Sequence, residues 1–261
     1  MHGSWVSHHT WDSILPYLEK NYRVLTYDRR GHSQSERPTG QGSIRDDVAD
    51  LAALLERLRL APAWVVGNSS GASIALRLAA EHPNLLLGIV GHEPPLLSLV
   101  AEDPTVSPML EEVNGRIGAV VGRIASGDHA EAAEQFVDTI VLGPGAWEQF
   151  PPEVQNIFTE NAITFLDEAQ DPDAFSFDLT WIKEFPLPVL ITTGTQSPPL
   201  FAPVITKLIE VLPNAEIIPI TGGGHIPHET HPEAYVEVIN TFIQQNSAER
   251  SPLEHSTSRK L

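Results

Sequence analysis

The pentapeptide Gly67-Asn68-Ser69-Ser70-Gly71 lies between an apolar run, AWVVGN, and an alanine-rich run, SGASIALRLAAE. Its form is G-x-S-x-G, the pattern in which a sharp strand-to-helix turn lifts a serine hydroxyl clear of the backbone. A hydroxyl so presented is a candidate nucleophile for acyl transfer, which also needs a base and donors for the developing oxyanion. The glycines select which serine. A turn that holds its central residue in a strained conformation needs small residues two before and two after it, and Gly67 and Gly71 flank Ser69 in this way, with Ala72 next. Ser70 would be flanked by Asn68 and Ala72, a poorer fit. Ser70 instead offers its backbone N–H, at the start of a helix, to an oxyanion.

Three fixed positions in five also arise in ordinary glycine turns, so the surrounding elements decide. Short apolar runs alternate with longer helical patterns, which predicts a mostly parallel sheet with helices on both faces. Strands are expected at 22–28, 63–68, 86–92, 188–194 and 215–221. Residues 43–60 begin with Ser43 and Asp46 at cap-like spacing and set Val48, Leu51, Leu54, Leu55 and Leu58 on one helical face, which reads as core. A second amphipathic helix is expected over 231–245. Residues 95–184 break the alternation: helical patterns follow one another with no convincing strand, predicting an all-helical insertion. Six of the nine phenylalanines (136, 150, 158, 165, 175 and 177) fall there with Trp147 and Trp181. Most of these read as the insertion's own core, with a few left to line an apolar pocket. The polar stretch 247–261 is expected to be a disordered tail.

Composition narrows the function. The 261 residues suffice for one large α/β domain with an inserted subdomain. Sixteen Lys and Arg against 34 Asp and Glu give a formal charge of −18, which disfavours nucleic acid and anionic membrane surfaces as partners. The chain has no cysteine, so disulfides, thiolate metal sites and a cysteine nucleophile are excluded together. No stretch approaches the roughly 18 consecutive apolar residues of a membrane span, and no signal-peptide pattern opens the sequence, so a cytoplasmic location is the default expectation.

Three further segments accompany the serine turn: HGSW at 2–5, YDRRGHSQS at 27–35 and GGGHIPHETHPEAY at 222–235. In this order, and with GNSSG, they resemble the α/β-hydrolase fold superfamily along nearly the whole chain. The resemblance implies a hydrolase core over 1–94 and 185–246 and a helical lid over 95–184. It makes His225 the base and later acid, and the backbone N–H of Ser4 the second oxyanion donor. Asp28, Arg29 and His32 match a segment that organises turns near the site. Ser33 departs from the glycine many relatives carry. The H-x-x-H-x-x-H spacing of His225, His228 and His231 also invites a metal reading, but the glycines, the proline and the lack of a completing carboxylate do not build one. His228 and His231 are read as surface or loop-packing residues, and His8 and His9, beside Asp12, as surface histidines.

The triad acid is not where the family most often has it. That loop reads TTGTQSPPL, with Ser197 at the matching position, Gln196 beside it, and no carboxylate between Glu184 and Glu210. Replacing a triad aspartate by an amide costs about 10⁴ in kcat in the best-studied case. Glu93, in GIVGHEPPLL, stands at the carboxyl end of the strand after the nucleophile helix, where open α/β sheets place their sites, and some members of the superfamily carry their acid there. It is taken as the candidate acid, with anchoring of the lid as its alternative role; His92 reads as packing. A second departure is at the start: the family precedes the His-Gly strand with two more strands, whereas here Met1 directly precedes His2. The expectation is a sequence that starts roughly 20 to 30 residues late, two strands and their turns, and a more stable protein when extended upstream.

These residues together predict a serine hydrolase acting on a small to medium carboxylic ester or related acyl compound through an acyl-enzyme, without metal or organic cofactor. The small-molecule acyl substrate is the expected partner, and oligomeric state is not readable. The same constellation also fits C–C bond hydrolysis, lactone opening, thioester cleavage and perhydrolysis. The rival from another class is a non-catalytic or weakly active ligand-binding member, favoured by the serine at 197 and the abrupt start.

Overall fold

The computed structural model describes residues 1–212 and 214–248. Four parallel strands form one sheet in chain order: β1 (Ala63–Asn68), β2 (Leu86–His92), β3 (Val189–Gly194) and β4 (Ala215–Ile220). Each is short and rich in β-branched residues, and successive side chains face opposite sides. Val65, Ile89, Val189 and Ile191 point into one core, and Val90, Leu190 and Ile220 into another. Both faces therefore need covering, as parallel strands generally do.

The helices supply that cover. On the first face lie α2 (Ile44–Arg57), α3 (Ser70–Glu81) and α7 (Phe201–Ile209); on the second, α1 (Leu15–Leu18) and α9 (Pro232–Ala248). The Ser43 side chain caps α2 by accepting from the Asp46 N–H, as its spacing predicts. Leu58, expected on the buried face, is 41 % exposed because α2 ends at Arg57 and the chain turns away. A short helix, α8 (Pro227–Thr230), leads into α9.

Between β2 and β3 the described chain is helical, chiefly α4 (Ser107–Ser126), α5 (His129–Phe136) and α6 (Pro152–Gln170). These three enclose a core of their own, built on Val120, Ile124, Ala132, Ala133, Phe158 and Phe165. Trp5 fills its centre: fully buried, it stacks on Phe136 at 4.8 Å between ring centroids and meets Phe165 at a tilt, 5.1 Å away. A residue from the start of the chain thus pins the helical insert to the sheet.

One expected strand is absent. Residues 22–28 take no part in the sheet, although Tyr22, Val24 and Tyr27 pack partly against the cores. A strand exists only as one side of a ladder, and among the described residues no strand lies alongside this segment. The free edge of β1 is met instead by Met1, whose amino group donates to the Val66 carbonyl at 2.7 Å and whose carbonyl accepts from Asn68 N–H at 3.2 Å. An apolar cavity of about 470 Å³ lies between that edge, the 22–27 segment and α9. At the other terminus α9 runs through 247–248, and the rest of the expected tail, 249–261, lies outside the described residues.

Candidate active site

The register of the sheet assembles the site. Asn68, His92 and Thr192 are direct neighbours across β1, β2 and β3, so the residues just beyond them emerge side by side at one edge. Those residues are Ser69, Glu93 and Thr193. The 222–225 loop after β4 closes the row with His225.

Ser69 joins β1 to α3 with φ 53° and ψ −125°, a conformation that costs about 1 to 3 kcal/mol and persists only where surroundings impose it. The imposing contacts are close. A Cβ on Gly67 would stand 2.4 Å from the Gly71 carbonyl oxygen, and one on Gly71 would stand 2.3 Å from that of Met1. The Ser69 N–H donates to the His92 carbonyl at 2.8 Å, and Asn68 Nδ2 donates to the His225 carbonyl at 2.8 Å. The elbow is thereby tied to the loops carrying the other two groups.

Glu93 also has a left-handed backbone, φ 47°, directly before Pro94 and Pro95. Its side chain is fully buried, and both carboxylate oxygens are engaged. Oε1 accepts from the Thr193 hydroxyl at 2.9 Å and the Gly194 N–H at 2.8 Å; Oε2 accepts from His225 Nδ1 at 2.7 Å. Burial opposes its ionisation, but hydrogen bonds from His225 and His92 outweigh that and hold the carboxyl below the usual carboxylate range. With Nδ1–H given to Glu93, His225 Nε2 keeps a lone pair. The ring is held flat against Phe201, centroids 4.6 Å apart and planes at 12°. Ser69 and His225 line the same cavity; among the described residues no hydrogen bond joins the Ser69 hydroxyl to the imidazole, a bond that is often long before substrate binds. Ser197, at the family's usual acid position, has a buried hydroxyl with no partner among the described residues.

Gly3 packs on the elbow, where a Cβ would stand 3.1 Å from Ser69 Cβ, and this brings Ser4 beside the nucleophile. Among the described residues no hydrogen bond occupies the Ser4 or Ser70 amide. The loop is locked from behind: the Arg29 N–H donates to His2 Nε2 at 2.8 Å, and His2 Nδ1 donates to the Gly3 carbonyl at 2.8 Å. Arg29 and His32 are buried, and burial together with the Arg29 charge pushes His32 down to about 3. Asp28 accepts from the His8 backbone and ring, both at 2.8 Å. Ser33 takes the left-handed conformation that favours glycine, φ 46°, and Asn161 of α6 braces it at 2.7 Å through its backbone and 3.1 Å through its hydroxyl. His9 pairs with Asp12 at the surface, 2.9 Å, and His231 is half-buried.

His228 is fully buried, bonded through Nε2 to Thr10 Oγ1 at 2.9 Å, a loop-packing role. His92, Glu93 and His225 bring three ligand-type atoms within 4.8 Å of one another. Each is already used: His92 Nε2 faces the Gly224 carbonyl at 3.2 Å, and the other two bind each other. Sequence reasoning missed Phe201, Thr193, Gly194 and Asn68. Of these only Gly194 left a signal, as a small residue at a strand end where a Cβ would meet the Gly223 carbonyl oxygen at 2.5 Å.

The cavity over Ser69 and His225 has a volume of about 190 Å³. The insert gives it an apolar wall, including Phe136, Val137, Val141, Leu142 and Phe158, and Thr10, Ser13 and Glu229 add polar groups to the lining.

This fold and site define a class: the chain belongs to the alpha/beta hydrolase family, whose profile matches residues 1–238. It is 24 % identical over 254 residues to a 2-(acetamidomethylene)succinate hydrolase of Mesorhizobium japonicum, covering 93 % of this chain and 86 % of that one. It is 28 % identical over 265 residues to a non-heme chloroperoxidase of Streptomyces lividans, covering 93 % and 90 %. Among solved structures, a thermophilic esterase from Thermogutta terrifontis superposes with a TM-score of 0.72 at 20 % identity, over 94 % of this chain and 88 % of that one, a likeness of fold.

Proposed function

We propose that this chain is a serine hydrolase that cleaves a small to medium carboxylic ester or related acyl compound through an acyl-enzyme. The observation that carries the reading is His225, paired with buried Glu93 at 2.7 Å and lining the same cavity as the strained Ser69. Ser69 Oγ attacks the acyl carbon while His225 Nε2 takes its proton, and the carbonyl oxygen becomes an oxyanion held by the Ser4 and Ser70 amides. Ionised Glu93 stabilises the imidazolium. His225 then protonates the leaving group, and water, activated by the same imidazole, releases the acid. The apolar wall of the insert, acting as the lid, takes the acyl chain, and Thr10 and Ser13 face the leaving group.

A panel of p-nitrophenyl esters of rising acyl length tests the reading. Short and medium esters are expected to turn over, long ones to fail, and Ser69→Ala to abolish turnover in a folded protein. Ester turnover undiminished in Ser69→Ala would contradict it.

A further inference from the structure

Arg29 and Glu168 form a buried ion pair that the steps above leave unused, and it ends on both oxyanion residues. Glu168 projects from α6 of the insert. Its Oε2 accepts from the Ser4 hydroxyl at 2.5 Å and lies 3.5 Å from the Ser70 hydroxyl, which is itself 2.8 Å from Ser4 Oγ. With the Ser4 proton given to Glu168, Ser70 donates to Ser4 Oγ, so the three side chains form one directed chain. From the other side Arg29 Nη2 donates to Glu168 Oε1 at 3.0 Å and to Asp47 Oδ2 at 2.6 Å, while Nη1 reaches the Gly3 carbonyl at 3.3 Å. Burial raises the Glu168 carboxyl above its ordinary range, and Arg29 opposes that rise.

We propose that Glu168 is a positioning residue: its carboxylate joins the Ser4 and Ser70 side chains and thereby sets the spacing of their two backbone amides. The inference rests on the serine-hydrolase reading. Ser4 gains from such a clamp because the contacts that lock its loop from behind act on His2 and Gly3 rather than on Ser4. It follows a glycine, precedes Trp5 at φ 69°, and sits on an element with no strand partner among the described residues beyond Met1. Oxyanion donors work only when held within about 0.5 Å of the productive geometry. An interaction made in the transition state alone lowers kcat when lost and leaves KM in place.

The experiment is a double-mutant cycle on hydrolysis of a short p-nitrophenyl ester, with thermal midpoints recorded for each variant. Glu168→Gln is expected to lower kcat by about 10-fold or more at nearly unchanged KM. In a Ser4→Ala background the same substitution is expected to cost less than about 2-fold, because the group it acts through is gone. Unchanged kcat in folded Glu168→Gln, or an undiminished loss in the Ser4→Ala background, overturns the proposal. Should Glu168→Gln not fold, Ser4→Ala and Ser70→Ala carry the test: losses that overlap when combined support the clamp, and fully additive losses overturn it. A wild-type enzyme without ester turnover removes the reading beneath the proposal, whereas the outcomes above remove the proposal alone.

Discussion

At the scale of single residues, this protein spends conformational strain and burial where chemistry is expected. Ser69 and Glu93 both hold left-handed backbones without being glycine, at the ends of adjacent strands. A carboxylate of the cavity lining behaves differently from Glu93. Glu229 is raised above the ordinary carboxylate range by burial, which the Thr10 hydroxyl partly offsets. Its folded pKa exceeds its unfolded one, so the unfolded state releases the proton first. Stability therefore falls as pH rises from about 4.3, the unfolded value, through the folded pKa, and the deficit persists above it. Glu229→Gln is expected to melt higher than wild type at neutral pH, with the gap closing below the ordinary carboxylate range. An equal difference at both pH values would contradict this account of Glu229.

At the scale of elements, the helical insert is the part that should set substrate size. Val141 lies on its apolar wall, and Val141→Trp is expected to shift the preferred p-nitrophenyl ester toward shorter acyl chains, read as the ratio of kcat/KM between acetate and hexanoate. An unchanged ratio would move the acyl site elsewhere. Much of this layer was legible in the sequence. β1 to β4 fall within one residue of the runs that predict them, because each is a short apolar run bounded by turn residues. The helical character of the 95–184 region was equally plain from its periodicity. Residues 22–28 misled because periodicity reports a segment's capacity for a ladder and not the presence of a partner. The glycine pattern singled out Ser69, and sheet-edge position pointed to Glu93. Thr193, Phe201 and Glu168 were invisible, since their contacts join residues distant in sequence, 24 apart for Phe201 and His225 and 100 or more for the other two, and their residue types carry no local signature.

At the scale of the whole molecule, the register of four parallel strands brings the ends of three of them to one edge, and the helical insert closes the space above. No helix among the described residues is long and apolar enough to cross a membrane. The formal charge of −18 surrounds a cavity whose lining includes Glu229 and neither lysine nor arginine, so the field disfavours anionic ligands there. In the proposed mechanism Ser69, His225 and Glu93 act as one unit. The most direct measurement is the rate of covalent modification by a fluorophosphonate, followed by intact mass and located by peptide mapping. The account predicts a single adduct on Ser69, none in Ser69→Ala, a rate lower by about 100-fold or more in Glu93→Gln, and a near-wild-type rate in Ser197→Ala. A folded wild-type protein that takes up no probe, or a Glu93→Gln variant that labels as fast as wild type, would contradict it.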